Sequence, residues 1–431
     1  MAELRTLRAL AFTTALCVCA LGLSLTAGCA SDDGGGNASA AIDGGANDGG
    51  SNDGGSSDGS SSDGGSDGSS DGSNSDATAG EATFAVGVTT IEVIGAAGRK
   101  LPVEVWYPAE PTPNGVAARY GNGLAPSLYG AVRDAKPVGS NLPLVLFSHG
   151  NGGFREQSIF LTELLAHHGY VVAAPDHVGN SLWTMDNALT GAMTLWRPQD
   201  IIAVVDHLAA PATADPSWLT GLADSTRYAV MGHSFGGYTS LAIAGLKVRV
   251  PPKFNLDCEA ANAPKFVCDE VAKMGPQPWD LSDARCVLAV PLAPAGYGWQ
   301  MLDKILPTDV LPPIVVMGAT GDTATPPATE QQPVYDDLPG KAGLLLIKGS
   351  NHYAFSDLCL IEKVLPATLK QEIGAMCNPN TAPNIETIHA VVAARALAAA
   401  DLWLRQRPEA KAALTAASDS FYTFVFKGLD D

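Results

Sequence analysis

Arg227-Tyr228-Ala229-Val230-Met231-Gly232-His233-Ser234-Phe235-Gly236-Gly237 reads as a short apolar strand that runs into Gly-x-Ser-x-Gly. A helix over Tyr238–Leu246, rich in Ala, Leu and Ile, follows at once. Strand, tight turn and helix in that order hold a serine out at the carboxyl end of the strand, beside the first amides of the helix. Side chains flanking so sharp a turn would collide, so glycine is wanted at Gly232 and Gly236. Ser234 is the candidate nucleophile, and a plain glycine-rich strand-to-helix loop is the competing reading.

Outward from this stretch, continuous apolar runs at Leu142–Phe147, Tyr170–Ala174, Cys286–Val290, Ile314–Met317 and Leu344–Ile347 predict further strands. Runs without polar alternation fit a parallel sheet covered on both faces. Helical stretches fall between them, among them Phe160–His168 and Gln199–Ala209, and the last is Ile385–Arg405. Phe84–Ile94 and Leu101–Pro108 alternate instead and predict an antiparallel hairpin around Gly95–Arg99. Pro108–Asn141, rich in Pro and Gly, predicts a long loop with one short helix. The whole predicts an α/β fold with a mostly parallel, doubly wound sheet.

In such sheets the chemistry collects where strands end. Ser148-His149-Gly150-Asn151-Gly152-Gly153-Phe154 follows one strand, and its glycines let backbone N–H groups face a cavity. The amides of Asn151 and Phe235 are the candidate oxyanion pair. A serine needs a base, and the base needs a carboxylate to hold its tautomer. In the order Ser, Asp, His, the loop Gly318–Pro326 supplies Asp322, and Lys348–Tyr353 supplies His352. His389 lies mid-helix, where packing explains it, and Asp280 and Asp283 precede a strand instead of following one. His233 reads as a wall of the turn and His149 as a support for the loop.

Val105-Trp106-Tyr107-Pro108-Ala109, Phe147–Arg155, His168–His177, Arg197-Pro198-Gln199-Asp200-Ile201 and Gly232–Gly237 together resemble the α/β-hydrolases of the platelet-activating-factor acetylhydrolase and dienelactone-hydrolase-like group. The resemblance implies the α/β-hydrolase fold, Ser234, Asp322 and His352 as triad, and a serine-esterase mechanism. True dienelactone hydrolases carry a cysteine where this chain has Ser234. Gly318–Pro326 and Ser350–Phe355 also resemble loops of cutinase-like polyesterases, which usually lack so long an insert between serine and acid.

Asn180–Trp196 carries Leu182, Trp183, Met185, Leu189, Met193, Leu195 and Trp196, which reads as a lid or acyl-chain wall or as an ordinary packed crossover. Trp183 and Trp196, with Tyr297, Trp299 and Phe154, are the candidate substrate-binding residues. The eight cysteines include Cys17 and Cys19 near the start. The short spacings Cys258…Cys268 and Cys359…Cys377 suggest two bridges, and Cys286 sits in an apolar run as a buried thiol. No Cys/His spacing resembles a zinc site, and no metal or cofactor is expected.

Residues 1–28 read as a secretory signal, with Arg5 and Arg8 ahead of an apolar run. Leu25-Thr26-Ala27-Gly28-Cys29 resembles a bacterial lipobox, with Thr26 where leucine is usual. That resemblance implies a lipid anchor at Cys29, and Ala30 leans it toward the outer membrane. Residues 29–80, nearly all Gly, Ser, Asp, Asn and Ala, read as a disordered tether, too apolar-poor to offset the entropy of ordering. Ten of its residues are aspartate, with no Lys or Arg, against a net charge of −19 for the chain. That balance argues against nucleic acid. Residues 81–431 remain for one catalytic domain, expected to be a monomer acting on small-molecule or lipid esters. The competing functions are a cutinase-like polyesterase, a peptidase or acyltransferase on the same fold, and a surface binding protein.

Overall fold

The computed structural model describes residues 83–429 apart from 252–253, 255–257, 259–264, 365–366, 375–376, 379 and 381–382. The expected signal, the lipidation site Cys29 and the tether lie outside the described residues. Two long strands, β1 (Ala85–Ile94) and β2 (Lys100–Ala109), pair antiparallel in the predicted hairpin. Three two-residue strands follow: β3 (Arg119–Tyr120), β4 (Ala125–Pro126) and β5 (Val132–Arg133). Then come β6 (Leu142–Ser148), helix α1 (Ile159–His167), β7 (Val171–Pro175), α2 (Thr190–Ala209), β8 (Ala223–His233) and α3 (Phe235–Ile243). The chain continues through α4 (Lys265–Met274), β9 (Cys286–Leu292), β10 (Ile314–Ala319), α5 (Gln331–Asp337), β11 (Ala342–Ile347) and α6 (Ala367–Ile373). It closes with α7 (Ile385–Trp403), α8 (Ala410–Leu414) and β12 (Tyr422–Lys427).

Ten of these strands form one sheet in the order β12-β11-β10-β9-β8-β6-β7-β2-β1-β5. The central six, from β11 to β7, run parallel. Their side chains alternate between two cores: Leu144 and Leu146 join Val230 on one face, while Val145 and Phe147 join Met231 on the other. Residues of α2, α3 and α5 belong to the first core and residues of α1 and α7 to the second. Both faces are therefore dry, which is why these strands read as unbroken apolar runs. Because the six are parallel and adjacent, their carboxyl ends share one edge. No helix among the described residues is long and apolar enough to cross a membrane.

Three expectations change. The Pro108–Asn141 segment holds no helix; its backbone goes to β3, β4, β5 and a buried carboxylate. Glu163 on α1 accepts from Leu128 N and Tyr129 N, both at 2.8 Å, and from the Tyr120 hydroxyl at 2.5 Å. The helix read from Gln199 begins at Thr190 and runs through Pro198. Proline there removes the donor for the Thr194 carbonyl, and the Tyr238 hydroxyl of α3 donates to that carbonyl at 2.8 Å instead. The sheet also gains β12, antiparallel to β11, beyond the helix read as the last element. Tyr422 and Phe424 alternate inward along it.

Candidate active site

Ser234 sits between β8 and α3 with φ 58° and ψ −115°, a conformation that costs energy for any residue but glycine and that tight anchoring must maintain. Its N–H donates to Leu292 O at 2.8 Å, and its carbonyl accepts from Tyr238 N and Ala295 N at 3.1 and 3.2 Å. The end of β9 and the first turn of α3 thus clamp it. The flanking glycines are sterically required: a Cβ on Gly236 would lie 1.8 Å from Ser148 O, and one on Gly232 would lie 2.4 Å from Gly236 O. The helix begins at Phe235, three residues before the predicted start, so the Phe235 amide is its first.

Asp322 follows β10 and His352 follows β11. His352 Nδ1 is 2.7 Å from Asp322 Oδ2. The other oxygen, Oδ1, accepts from Ala324 N and Thr325 N, and the Thr325 hydroxyl stands 2.8 Å from Oδ2. Burial alone would raise the Asp322 carboxyl, but the His352 ring and the Thr325 donors hold it below the usual carboxylate range. The two loops are tied by Gly321 N to Ser350 O at 2.8 Å and Gly349 N to Thr320 Oγ1 at 2.9 Å. His352 Nε2 is the ring nitrogen turned away from the acid.

A residue the sequence reading passed over connects these pieces. Gln157, just ahead of α1, accepts from Gly150 N at 3.0 Å through Oε1 and donates to His233 Nδ1 at 2.9 Å through Nε2. That leaves the His233 proton on Nε2, which donates to His352 O at 2.9 Å. Burial, then the neighbouring His352, pulls the His233 imidazole down to about 3, so it stays neutral in this role. His233 and His352 rings are 4.7 Å apart. Gly150 closes the cluster, since a Cβ there would stand 3.4 Å from Ser234 Cβ. His149 supports the same loop: Nδ1 lies 2.7 Å from Gly150 O, and Nε2 accepts from His177 N.

A buried Ser-His-Asp array lies at the end of β6. Asp200 Oδ2 is 2.9 Å from His177 Nδ1, and His177 Nε2 is 2.9 Å from Ser148 Oγ. Burial and the nearby Arg197 and Arg99 charges depress the His177 imidazole far below its ordinary value, so it accepts from Ser148 as a neutral ring. Arg99 closes the array with a 2.6 Å ion pair to Asp200 Oδ1. All of Ser148, His177 and Asp200 are 0 % exposed. No ester reaches this serine; the array is internal bracing. Ser234, by contrast, is partly exposed.

The candidate substrate residues separate. Phe154 and the half-exposed Trp183 face each other with ring centres 6.4 Å apart, beyond the Gly150–Gly153 turn. Trp299 donates from Nε1 to Ala324 O at 3.2 Å, beside the Asp322 loop. Tyr297 turns its hydroxyl into its own loop, where it accepts from Ile305 N at 3.0 Å. Trp196 does not join them: it is 1 % exposed, packed in the core on α2 beneath the Arg99 guanidinium. Of Asn180–Trp196, the part from Thr190 is therefore a packed crossover helix. Cys258–Cys268 and Cys359–Cys377 are disulfides, and Cys286 is a buried free thiol. His389 stacks on Phe160 at 3.7 Å, Asp283 pairs with Arg285, and Asp280 with Lys247.

Residues 116–189 match the family model of platelet-activating factor acetylhydrolase, isoform II, and residues 156–255 match that of the prolyl oligopeptidase family. The chain is similar to cutinase 1 of Thermobifida cellulosilytica, 26% identical over 49% of this chain and 60% of the cutinase. It is similar to bis(hydroxyethyl) terephthalate hydrolase of Streptomyces coelicolor, 27% identical over 49% of this chain and 50% of that protein. The platelet-activating factor acetylhydrolase of Cavia porcellus is 26% identical over 32% of this chain and 42% of its own. The match thus spans about half the length of these curated relatives. Among solved structures, a ferulic acid esterase from Streptomyces cinnamoneus superposes with a TM-score of 0.56 at 22% identity, covering 80% of this chain and 98% of that one. That likeness concerns the fold.

Proposed function

We propose that this chain, an α/β-hydrolase of the platelet-activating-factor-acetylhydrolase-like group, is a serine hydrolase of carboxylic esters. The observation that carries the proposal is the Asp322–His352 pair at 2.7 Å, set at the same sheet edge as a serine held at φ 58°. Ser234 Oγ attacks the ester carbonyl carbon as His352 Nε2 takes its proton, and Asp322 stabilises the imidazolium through Nδ1. The amides of Asn151 and Phe235 receive the negative oxygen of the tetrahedral intermediate. Its collapse breaks the bond to the alcohol oxygen, which leaves with the proton from His352. Water then attacks the acyl-enzyme, gives its proton to His352, and releases the acid and Ser234.

Short-chain or lipid esters are the proposed substrates, approached past Phe154, Trp183 and Trp299. The resemblance to cutinases and to a terephthalate-ester hydrolase supports a second reading, in which aryl or polymeric esters occupy the same aromatic rim. Turnover of p-nitrophenyl acetate, butyrate and octanoate beside bis(hydroxyethyl) terephthalate separates the two. A preference for acetate or octanoate with an inert terephthalate supports the first, and turnover of the terephthalate the second. The two disulfides and the lipobox-like Leu25–Cys29 support an exported enzyme anchored at Cys29. Labelling of the full chain with a clickable palmitate in a bacterial host, lost in Cys29→Ala, tests that anchor.

A further inference from the structure

Arg197 lies in the interior of α2, 0 % exposed, and none of its hydrogen-bond acceptors is a carboxylate. Nη1 donates to Asn180 Oδ1 at 2.6 Å. Nη2 donates to the His149 carbonyl and, at 3.2 Å, to Ser148 Oγ. Nε donates to Thr239 Oγ1 at 3.3 Å. Asp200, three residues along, is already engaged by Arg99, Ala96 N and His177. Burying a guanidinium without a carboxylate against it is costly, so the fold gains something from it at this place.

Its contacts fall into two sets. One reaches the loop after β6. Asn180, held by Nη1, donates from Nδ2 to Asn151 Oδ1 at 2.7 Å, and its backbone carbonyl accepts from Gly152 N at 3.1 Å, while Nη2 holds His149 O. The other reaches the first turn of α3. Thr239, held by Nε, donates to Phe235 O at 2.9 Å, and the guanidinium carbon lies 4.7 Å from the centre of the Phe235 ring. Asn151 and Phe235 come from different elements, and one side chain spans the gap between them.

We propose that Arg197 is the positioning residue of the oxyanion hole: with Asn180 as its extension, it fixes the Asn151 loop against the start of α3 and keeps a positive charge behind the developing oxyanion. The inference rests on the serine-hydrolase reading above. A planar fork suits the task because it satisfies four acceptors in fixed directions, which an ammonium does not. Burial pulls the guanidinium down to about 9, with the Asp200 charge opposing the fall, so it remains a cation at neutral pH.

The test compares the full chain with Arg197→Lys and Asn180→Ala. Active sites are counted by stoichiometric labelling with a fluorophosphonate, and p-nitrophenyl butyrate turnover is expressed per labelled site. A structural role alone would lower the number of sites and leave each at wild-type speed. The positioning role predicts near-stoichiometric labelling, kcat per site lower by about 10- to 100-fold for Arg197→Lys and about 10-fold for Asn180→Ala, and KM within about threefold. Asn180→Ala leaves the guanidinium in place, so it decides the matter should the lysine variant not fold. Turnover per site within about twofold of an active wild type in Asn180→Ala, or in a folded Arg197→Lys, overturns the proposal alone. A wild type that neither turns over esters nor takes the label overturns the serine-hydrolase reading, and this one with it.

Discussion

Gln157 and His233 share a 2.9 Å hydrogen bond that fixes the imidazole proton on the side of His352. The same glutamine holds Gly150 N, so the loop after β6 and the turn around Ser234 meet on one amide, and His233 carries the link on to the loop after β11. Gln157→Leu would leave Gly150 N–H and His233 Nδ1 without these partners. The expected outcome is a fall in kcat of about 10- to 100-fold with KM little changed, and a stability loss of about 1–3 kcal/mol. Steady-state kinetics alongside urea unfolding read both; unchanged kcat would remove Gln157 from the account.

Ser148 carries a histidine and an aspartate but is fully buried, whereas Ser234 is partly exposed. A fluorophosphonate should therefore modify Ser234 and leave Ser148 untouched, although Ser148 Oγ is 2.9 Å from His177 Nε2. Peptide mapping of the labelled full chain, beside Ser234→Ala, reads the result. A label on Ser148 in the variant would show that the inner array opens.

Gly236 has no room for a methyl group, because the Ser148 carbonyl occupies the space. Gly236→Ala should cost about 3 kcal/mol or more and lower the thermal midpoint clearly. A midpoint equal to wild type would mean that the turn is looser than described.

Asp357 lies five residues after His352 and accepts from Phe160 N at 2.9 Å at the start of α1. Burial pushes its carboxyl up to about 8 against the backbone donors, with Glu163 adding to the rise. The native state thus keeps a proton that the unfolded chain releases above about 4, so this group's contribution to stability is full below pH 4 and lost as pH rises through 8. His389, 3.7 Å away and pulled down to about 3 by burial, gives a slope of opposite sign below pH 6.5 in wild type and variant alike. Asp357→Asn mimics the protonated form. Its stability relative to wild type should grow by up to about 1.4 kcal/mol per pH unit between 4 and 8. A difference that does not change with pH would mean that Asp357 ionises normally in the fold.

The placement of Ser234, Asp322 and His352 at one sheet edge was legible because each follows an apolar run, and a parallel sheet brings such positions together. The bracing was not. Gln157, Asn180 and Arg197 act across 76, 29 and 48 residues of chain, to His233, Asn151 and His149, and polar side chains carry no periodicity that announces a distant partner. Trp196 was misplaced for a local reason: the helix was read from Gln199, whereas it begins at Thr190 and runs through Pro198, with the Tyr238 hydroxyl donating to the Thr194 carbonyl. β12 shows the opposite failing, since Tyr422, Phe424 and Phe426 alternate plainly and were passed over. Phe154 and Trp183 come together from two separate loops, which sequence order alone does not join.

In the proposed mechanism Ser234, activated by His352 and Asp322, is the nucleophile of an ester hydrolase. Turnover of p-nitrophenyl butyrate by the full chain, with Ser234→Ala and Asp322→Asn beside it, tests this most directly. The expected outcome is release of p-nitrophenol by the wild type, none above background by Ser234→Ala, and a loss of about 10³- to 10⁴-fold in kcat for Asp322→Asn. A folded wild type without turnover, or a Ser234→Ala variant as active as wild type, would contradict it.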